Sequence, residues 1–411
     1  MFLSELIPME DALDILDKNQ IIMETEIIDL KNSYLRVLSE EVYSFHDSPP
    51  FDKSAMDGYA VIASDTFGAS PNAIKKLSII DQIGAGDFSN KIINSGEAIR
   101  IATGAPIPEG ADAVLMEEYT ITNCKGSSDE FIEIHSQVTP GENVSFKGED
   151  IKSGDLVVKD STIIRPQEMG IIASAGISNI EVYKIPKVKL IITGNELINP
   201  TKKLEKAQII NSNQYVISSM IESCGAHVDV VSAKDIFEEV KKTLLDSSKY
   251  YDLIITTGGT AISKGDVVVD AVDSIGDVLF HGVALRPGKP VGFGIVADTP
   301  VFMLSGYPVA AMGQFDALVR NFLFKMQNIE FNPRKEKRRA DVKIYSNLGR
   351  TDFIRSYADD EKVKAVLSRG SGILRSMIEA NAYIIVDENQ EGISKDEIVD
   401  VVFFESMNWN K

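Results

Sequence analysis

Cysteine is nearly absent from this 411-residue chain, which carries only Cys124 and Cys224. They form no Cys-x-x-Cys pair, and the four histidines (His46, His135, His227, His281) are scattered, so neither a disulfide framework nor a zinc finger is expected. Tryptophan is reduced to Trp409, in the C-terminal tail. No apolar run reaches the ~18 residues of a membrane span. The opening MFLSELIPMEDALDIL carries acids and lacks a basic segment, so it reads as an amphipathic helix rather than a signal peptide, and the cytoplasm is the expected location. Positive charge is also short: 42 Lys and Arg against 61 Asp and Glu leave a formal net charge of −19. A field of that sign repels nucleic acid and anionic membranes, so neither is an expected partner. An anionic ligand would need a local cation, from Lys, Arg or a bound metal.

What is present is an ordinary globular mixture, 44% hydrophobic and 25% charged. At ~150 residues per domain, that length allows roughly two to four domains. Residues 1–43 begin with helix-like spacing of Leu3, Leu6, Ile7, Ala12, Leu13 and Leu16. Residues 44–144 alternate in short stretches such as AIRIA (98–102) and FIEIH (131–135), broken by Gly, Pro, Asn and Asp, and read as β-rich. From Lys187 the order becomes strand, helix, strand, helix, which predicts a parallel sheet. KVKLIIT (187–193), residues 227–231 and the run beginning at Asp252 are the first strands. Tyr215, Ile217, Met220, Ile221 and Cys224 mark an apolar helix face between two of them. Asp235 is expected to cap the next helix with Glu238. Residues 291–296 and 301–304 are expected to continue the sheet, and 309–326 to form a closing helix. NPRKEKRR (332–339) reads as a basic linker, followed by a small β unit.

Ligands of an open α/β sheet bind beyond the carboxyl ends of its strands. DLIITTGGT (252–260) is a buried strand ending in such a lip, where Gly258 and Gly259 let backbone approach a ligand and Thr257 and Thr260 add hydroxyls. Asp266 follows, either as a site acid or as a plain helix cap. Glu196, just past KVKLIIT, points toward the same lip and could hold Mg²⁺, which takes one or two carboxylates and keeps its waters. Arg286 and Lys289 flank a Pro-Gly turn that can fix two cations for phosphate or oxyanion; an exposed turn is the bland alternative. The segment 49–60, with Asp52, Ser54, Asp57 and Gly58, and the stretches 103–112 and 148–151 are dense in polar and turn-forming residues.

Together these segments resemble the MoeA family of molybdopterin molybdenumtransferases, related to the gephyrin E domain. The resemblance rests on SPPFDKSAMDGYAV (48–61), IRIATGAPIPEGADAV (99–114), KGEDIKSGD (147–155), RPQEMGIIASAGI (165–177), TGNEL (193–197), INSN (210–213), TTGGT (256–260) and RPGKP (286–290), in family order. It implies a multidomain α/β plus β fold. Residues 1–43 and 145–185 would form an elongated linking domain, with Met1 to about Ile22 packed on the α/β unit. Residues 44–144 would form an inserted β-rich domain, 186–330 a MogA/MoaB-type molybdopterin-binding domain with a central parallel sheet, and 331–411 a small β-barrel-like domain.

The implied reaction takes adenylylated molybdopterin, hydrolyses its pyrophosphate link with Mg²⁺ assistance, releases AMP and places molybdate on the dithiolene. The implied assembly is a homodimer with the cleft between subunits, and the upstream adenylyltransferase is a candidate partner. Carried over residue by residue, the catalytic set is Asp57, Thr103, Asp150, Glu196 and Asp266. The substrate set is Gly258, Gly259, Thr260, Ser263, Arg286, Lys289, Ser305, Pro308, Arg350 and Ser371, and the metal set is Glu196, Asp266 and Asp235.

The chain also departs from the family. Ser145-Phe146-Lys147 replaces an arginine run. The usual Leu-Pro-Gly-Asn-Pro reads Leu304-Ser305-Gly306-Tyr307-Pro308. Gly282 stands where a basic residue is frequent, Arg286 replaces a lysine, and Asn195 replaces an aspartate. These changes leave open a paralogue tuned to tungstate. A non-catalytic molybdopterin-binding carrier or scaffold is a further alternative, and the single-domain adenylyltransferase is disfavoured by the extra β regions.

Overall fold

Short apolar strands whose two faces are both covered form the centre of the molecule. The computed structural model describes residues 6–123, 130–259, 266–366, 370 and 372–407. The expectations placed on Thr260, Ser263, Ser371, Cys124, Leu3 and Trp409 fall outside them.

The central sheet has six strands in the order His227–Ala233, Lys187–Thr193, Leu253–Thr257, Thr299–Leu304, Gly292–Val296 and Asp277–His281. Alternation sorts its side chains cleanly. Ile191, Ile254, Val301 and Met303 face the helices Phe237–Ser247 and Val267–Ile275. Leu190, Ile192, Ile255, Phe302 and Leu304 join the opposite core, which also receives Ile217 and Ile221 from the Asn213–Glu222 helix. All five residues of Leu253–Thr257 are buried, so that run shows no polar alternation. Ala12 and Leu16 of the Met9–Lys18 helix belong to the same core.

The structure corrects several expectations. The sheet is parallel through its first four strands, but Gly292–Val296 runs antiparallel to both of its neighbours, Thr299–Leu304 and Asp277–His281. Only Ala297 and Asp298 link two of these strands, both at positive φ (47° and 67°), and a two-residue link closes a hairpin rather than a crossover. The first helix begins at Met9, not upstream, because Ile7 is bridged to Val283. Tyr215 is 50% exposed rather than on the apolar face. The closing helix contains a π-helical turn, Phe315–Val319, between Pro308–Gln314 and Arg320–Met326.

The expected linker at 332–339 is strand Pro333–Ala340, paired antiparallel with Ile398–Met407. Its charges do not prevent pairing: Arg334 and Arg338 both pair with Glu336, and their guanidinium groups lie over the Phe403 ring. With Thr351–Ala358, Lys362–Ala365 and Ala382–Val386, these strands close on themselves as a small barrel, as the resemblance implies.

The β-rich region forms a second six-stranded sheet, Ala113–Met116, Gly58–Val61, Glu97–Ile101, Lys75–Ile83, Phe131–Ile134 and Thr120–Asn123. Gly58 lies so close to its neighbour that an added Cβ would stand 2.1 Å from the Leu115 carbonyl oxygen. Gly58→Ala is therefore expected to destabilise this sheet by about 1–3 kcal/mol, read as a lower denaturant midpoint; an unchanged midpoint would show that the strands separate without cost. Between the two sheets, Thr25–Asp29 pairs antiparallel with Asn179–Tyr183, over a core that includes Leu38, Val42, Ile164 and Ile172.

Candidate functional site

Four parallel strands end on one edge, within one residue of each other in register, at Thr193, Ala233, Thr257 and Leu304. The loops that follow them therefore share a lip: Gly194-Asn195-Glu196, Lys234-Asp235, Gly258-Gly259 and Ser305-Gly306-Tyr307. The loops approach closely. A Cβ on Gly258 would lie 2.4 Å from the Thr193 carbonyl oxygen, and one on Gly306 would be 3.4 Å from the Gly258 Cα. Gly258 and Gly259 both hold positive φ, 95° and 61°, which favours glycine at each. The Asn213 side-chain amide donates to the Gly306 carbonyl at 2.9 Å and anchors the last loop.

Asp266 caps the Val267–Ile275 helix. One carboxylate oxygen accepts from the Val268 and Val269 amides, each at 3.2 Å, while the other is buried with no hydrogen-bond partner among the described residues. Burial pushes this carboxyl up to about 7, against the two amide bonds, with Asp270 and Asp235 adding repulsion. Asp235 does not cap the next helix as expected. That helix starts at Phe237 without a side-chain cap, and Asp235 instead accepts from the Asn195 amide at 3.3 Å. Asn195 Oδ1 accepts from the Asp235 amide in return, also at 3.3 Å, which ties two lip loops together. Asp235 Oδ1, Thr257 Oγ1 and Asn213 Oδ1 are further buried polar atoms at this lip without a partner among the described residues.

Glu196 is exposed. Among the described residues no three Asp, Glu, His or Cys side chains gather closely enough to hold a metal, so the expected trio of Glu196, Asp235 and Asp266 is not assembled as a cage. The unpartnered oxygens of Asp235 and Asp266 nevertheless suit a Mg²⁺ ion that keeps most of its waters and a substrate phosphate.

The basic turn borders the same lip. Gly288 accepts from the Gln314 side chain, which also holds Ser305. Arg286 reaches Asp352 of the barrel at 3.3 Å. Burial raises the Asp352 carboxyl, opposed first by Arg286 and then by the Ser346 hydroxyl, with Arg350 and Arg355 also opposing. Arg286 thus pairs with a buried acid of the barrel. Gly372 packs toward Tyr307, which brings the barrel against the Ser305–Pro308 loop.

Asp57 and Thr103 lie elsewhere, in the β-rich region, with Asp150 on the segment that leaves it. Asp57 accepts from the Thr103 amide at 2.7 Å and from its hydroxyl at 2.9 Å, and these bonds hold its carboxyl below the usual range. The segment with Asp150 runs alongside: Val144-Ser145 pairs with Lys53-Ser54, and the Asp150 amide donates to Ser48 at 3.1 Å. Among the described residues no hydrogen bond or ion pair joins this group to the lip. Sequence reasoning missed Gln314 and Asp352; the only signal for Gln314 was a single polar residue in an otherwise apolar helix stretch.

The lip of parallel strand ends defines an α/β ligand-binding protein, and residues 189–325 match the family model described as "Probable molybdopterin binding domain". Residues 7–176 match "MoeA N-terminal region (domain I and II)" and 337–404 match "MoeA C-terminal region (domain IV)", so the chain belongs to the MoeA family. It is 32% identical to the molybdopterin molybdenumtransferase of Staphylococcus aureus (strain COL) over 97% of this chain and 96% of that protein. It is 40% identical, over 97% and 96%, to a Methanocaldococcus jannaschii protein assigned provisionally to molybdopterin biosynthesis. The crystal structure of the moeA protein of Pyrococcus horikoshii OT3 superposes with a TM-score of 0.82 at 33% identity, covering 97% of this chain and 100% of that one. No helix among the described residues is long and apolar enough to cross a membrane.

Proposed function

We propose that the chain is a molybdopterin molybdenumtransferase of molybdenum cofactor biosynthesis. It binds adenylylated molybdopterin, hydrolyses the pyrophosphate link, releases AMP and leaves molybdate on the dithiolene. The observation that carries this reading is the pairing, on one lip, of unpartnered carboxylate oxygens from Asp235 and Asp266 with the Arg286–Lys289 turn. A pyrophosphate with a bound cation needs both kinds of group. Asp235 and Asp266 would hold Mg²⁺, which when bound neutralises charge on the phosphates, while Glu196, exposed on the same lip, would add negative charge that attracts the cation. Gly258, Gly259, Thr260 and Ser263 would receive the phosphate end of the ligand, while Arg286, Lys289 and Arg350 would bind oxyanions. Ser305, Pro308 and Ser371 would shape the wall beside them.

Asp57 and Thr103, from the β-rich region of a second copy, and Asp150, from the adjoining linking segment, face this lip across a dimer cleft. Among the described residues no hydrogen bond or ion pair joins them to the lip of their own chain, which supports that arrangement. The four-part division at 1–43 with 145–185, 44–144, 186–330 and 331–411 belongs to the same reading.

The test supplies adenylylated molybdopterin, Mg²⁺ and molybdate and measures AMP. Molybdate-dependent AMP release is expected. Tight ligand binding without AMP would replace this reading with a non-catalytic carrier, and a requirement for ATP would point to the adenylyltransferase. A parallel arm with tungstate is warranted by Ser305 and Tyr307, which alter the loop beside the lip.

A further inference from the structure

Two loops of the lip are held by one side chain that belongs to neither. Gln314 is fully buried at the end of the Pro308–Gln314 helix. Its carbonyl oxygen accepts from the Ser305 amide at 2.8 Å. Its amide donates to the Gly288 carbonyl at 2.8 Å, with longer bonds to the Ser305 hydroxyl at 3.1 Å and the Pro290 carbonyl at 3.4 Å. The fit is close: a Cβ on Gly288 would stand 2.6 Å from the Gln314 side-chain nitrogen, and Gly288 holds φ at 96°. The π-helical turn Phe315–Val319 begins at the next residue, and single π turns inside helices recur at functional sites.

We infer that Gln314 is a positioning residue that fixes the Arg286–Pro290 turn against the Ser305–Pro308 loop, so that the turn's two cations and the second loop form one rigid wall. This rests on the proposed transferase reading for the identity of the ligand, but not for the geometry. The chemistry of residue 305 makes the need specific. Proline there would present no N–H. Serine presents a buried N–H that must find an acceptor, and Gln314 supplies it while its other end satisfies the turn. Besides those of Gln314, the side-chain bond between this turn and the Ser305–Pro308 loop is a long one, from the Ser305 hydroxyl to the Pro290 carbonyl at 3.5 Å. Gln314 touches no reacting atom; its effect passes through the placement of those cations.

The experiment uses the full-length chain with Gln314→Leu, Ser305→Pro and the double variant. Gln314→Leu leaves the Ser305 amide and the Gly288 carbonyl without partners. It is expected to raise KM for adenylylated molybdopterin about tenfold, with a smaller change in kcat. Adding Ser305→Pro removes the stranded donor, so the double variant is expected to recover part of that loss. A purely structural role would lower thermal stability without this KM effect or the recovery, and an equal or worse KM in the double variant would overturn the inference. Amide hydrogen exchange on the unsubstituted chain reads the same contact without relying on any variant's folding: the Ser305 amide is expected to exchange as slowly as those of the Thr299–Leu304 strand. Fast exchange there would also overturn it. If the wild-type chain releases no AMP, the transferase reading falls, while the exchange measurement still decides the role of Gln314.

Discussion

Replacing Asp57 by alanine is expected to cut AMP release roughly 10²–10³-fold while barely moving the thermal midpoint. One oxygen of this carboxylate is fixed by the Thr103 amide and hydroxyl, leaving the other available to a ligand. The same bonds keep the group ionised, so it serves as a charge or a base rather than as an acid at neutral pH. A depressed carboxylate pKa contributes stability that is present above the ordinary value and is lost as pH falls through the lowered one. Activity carried by Asp57 should therefore persist down through mildly acidic pH. Thr103→Ala removes the hydroxyl bond but keeps the amide bond, and should cost less. An unchanged rate in Asp57→Ala would remove this residue from the site. Mixing Asp57→Ala with Asp266→Asn chains tests where the site lies. If the cleft is shared between copies, random exchange gives mixed dimers with one intact site each, and about a quarter of wild-type activity returns. Sites confined to single chains would return none.

The sequence is most legible where one local pattern has one structural meaning. KVKLIIT and the Asp252 run are strands because both faces are apolar, and the glycine pair after the second marks a place where backbones must approach. The barrel is less legible. Basic Pro333–Ala340 reads as a linker because its arginines lie on Phe403, about 65–70 positions away, a partner that local composition cannot reveal. The antiparallel edge was hidden for a related reason: its hairpin turns on Ala297 and Asp298, not on the glycine that positive φ usually selects. Asp235 carries a capping signal, yet the loop from Asn195 captures its carboxylate first. Gln314 illustrates the limit most clearly. Its bonds reach residues 9 to 26 positions away, so no short window can assign its role.

Asp266→Asn should separate the cap from the cation site and abolish most activity, about 10²–10³-fold by loss of a charge-stabilising group. Asparagine caps helices as well as aspartate does, so the bonds to Val268 and Val269 should survive and the fold with them. The charge does not survive, and its consequences run in a definite direction. Burial raises this carboxyl from its ordinary 3.8 to about 7. Between those values the folded chain holds a proton that the unfolded chain has released, so stability falls as pH rises through the window and stays low above it. The metal-free wild-type chain should lose thermal midpoint from about pH 4 to 7 relative to Asp266→Asn, with the two curves parallel beyond. Mg²⁺ should then raise the wild-type midpoint above pH 7, because a cation favours the ionised form that burial penalises, and should leave the asparagine variant nearly unmoved. An equal Mg²⁺ response in both chains would assign the metal to other residues and reduce Asp266 to a buried cap. The second carboxylate oxygen is what makes the first outcome the expected one: a cap alone uses one oxygen, and the other, buried and without a donor among the described residues, is open to a cation that would hold the carboxyl ionised.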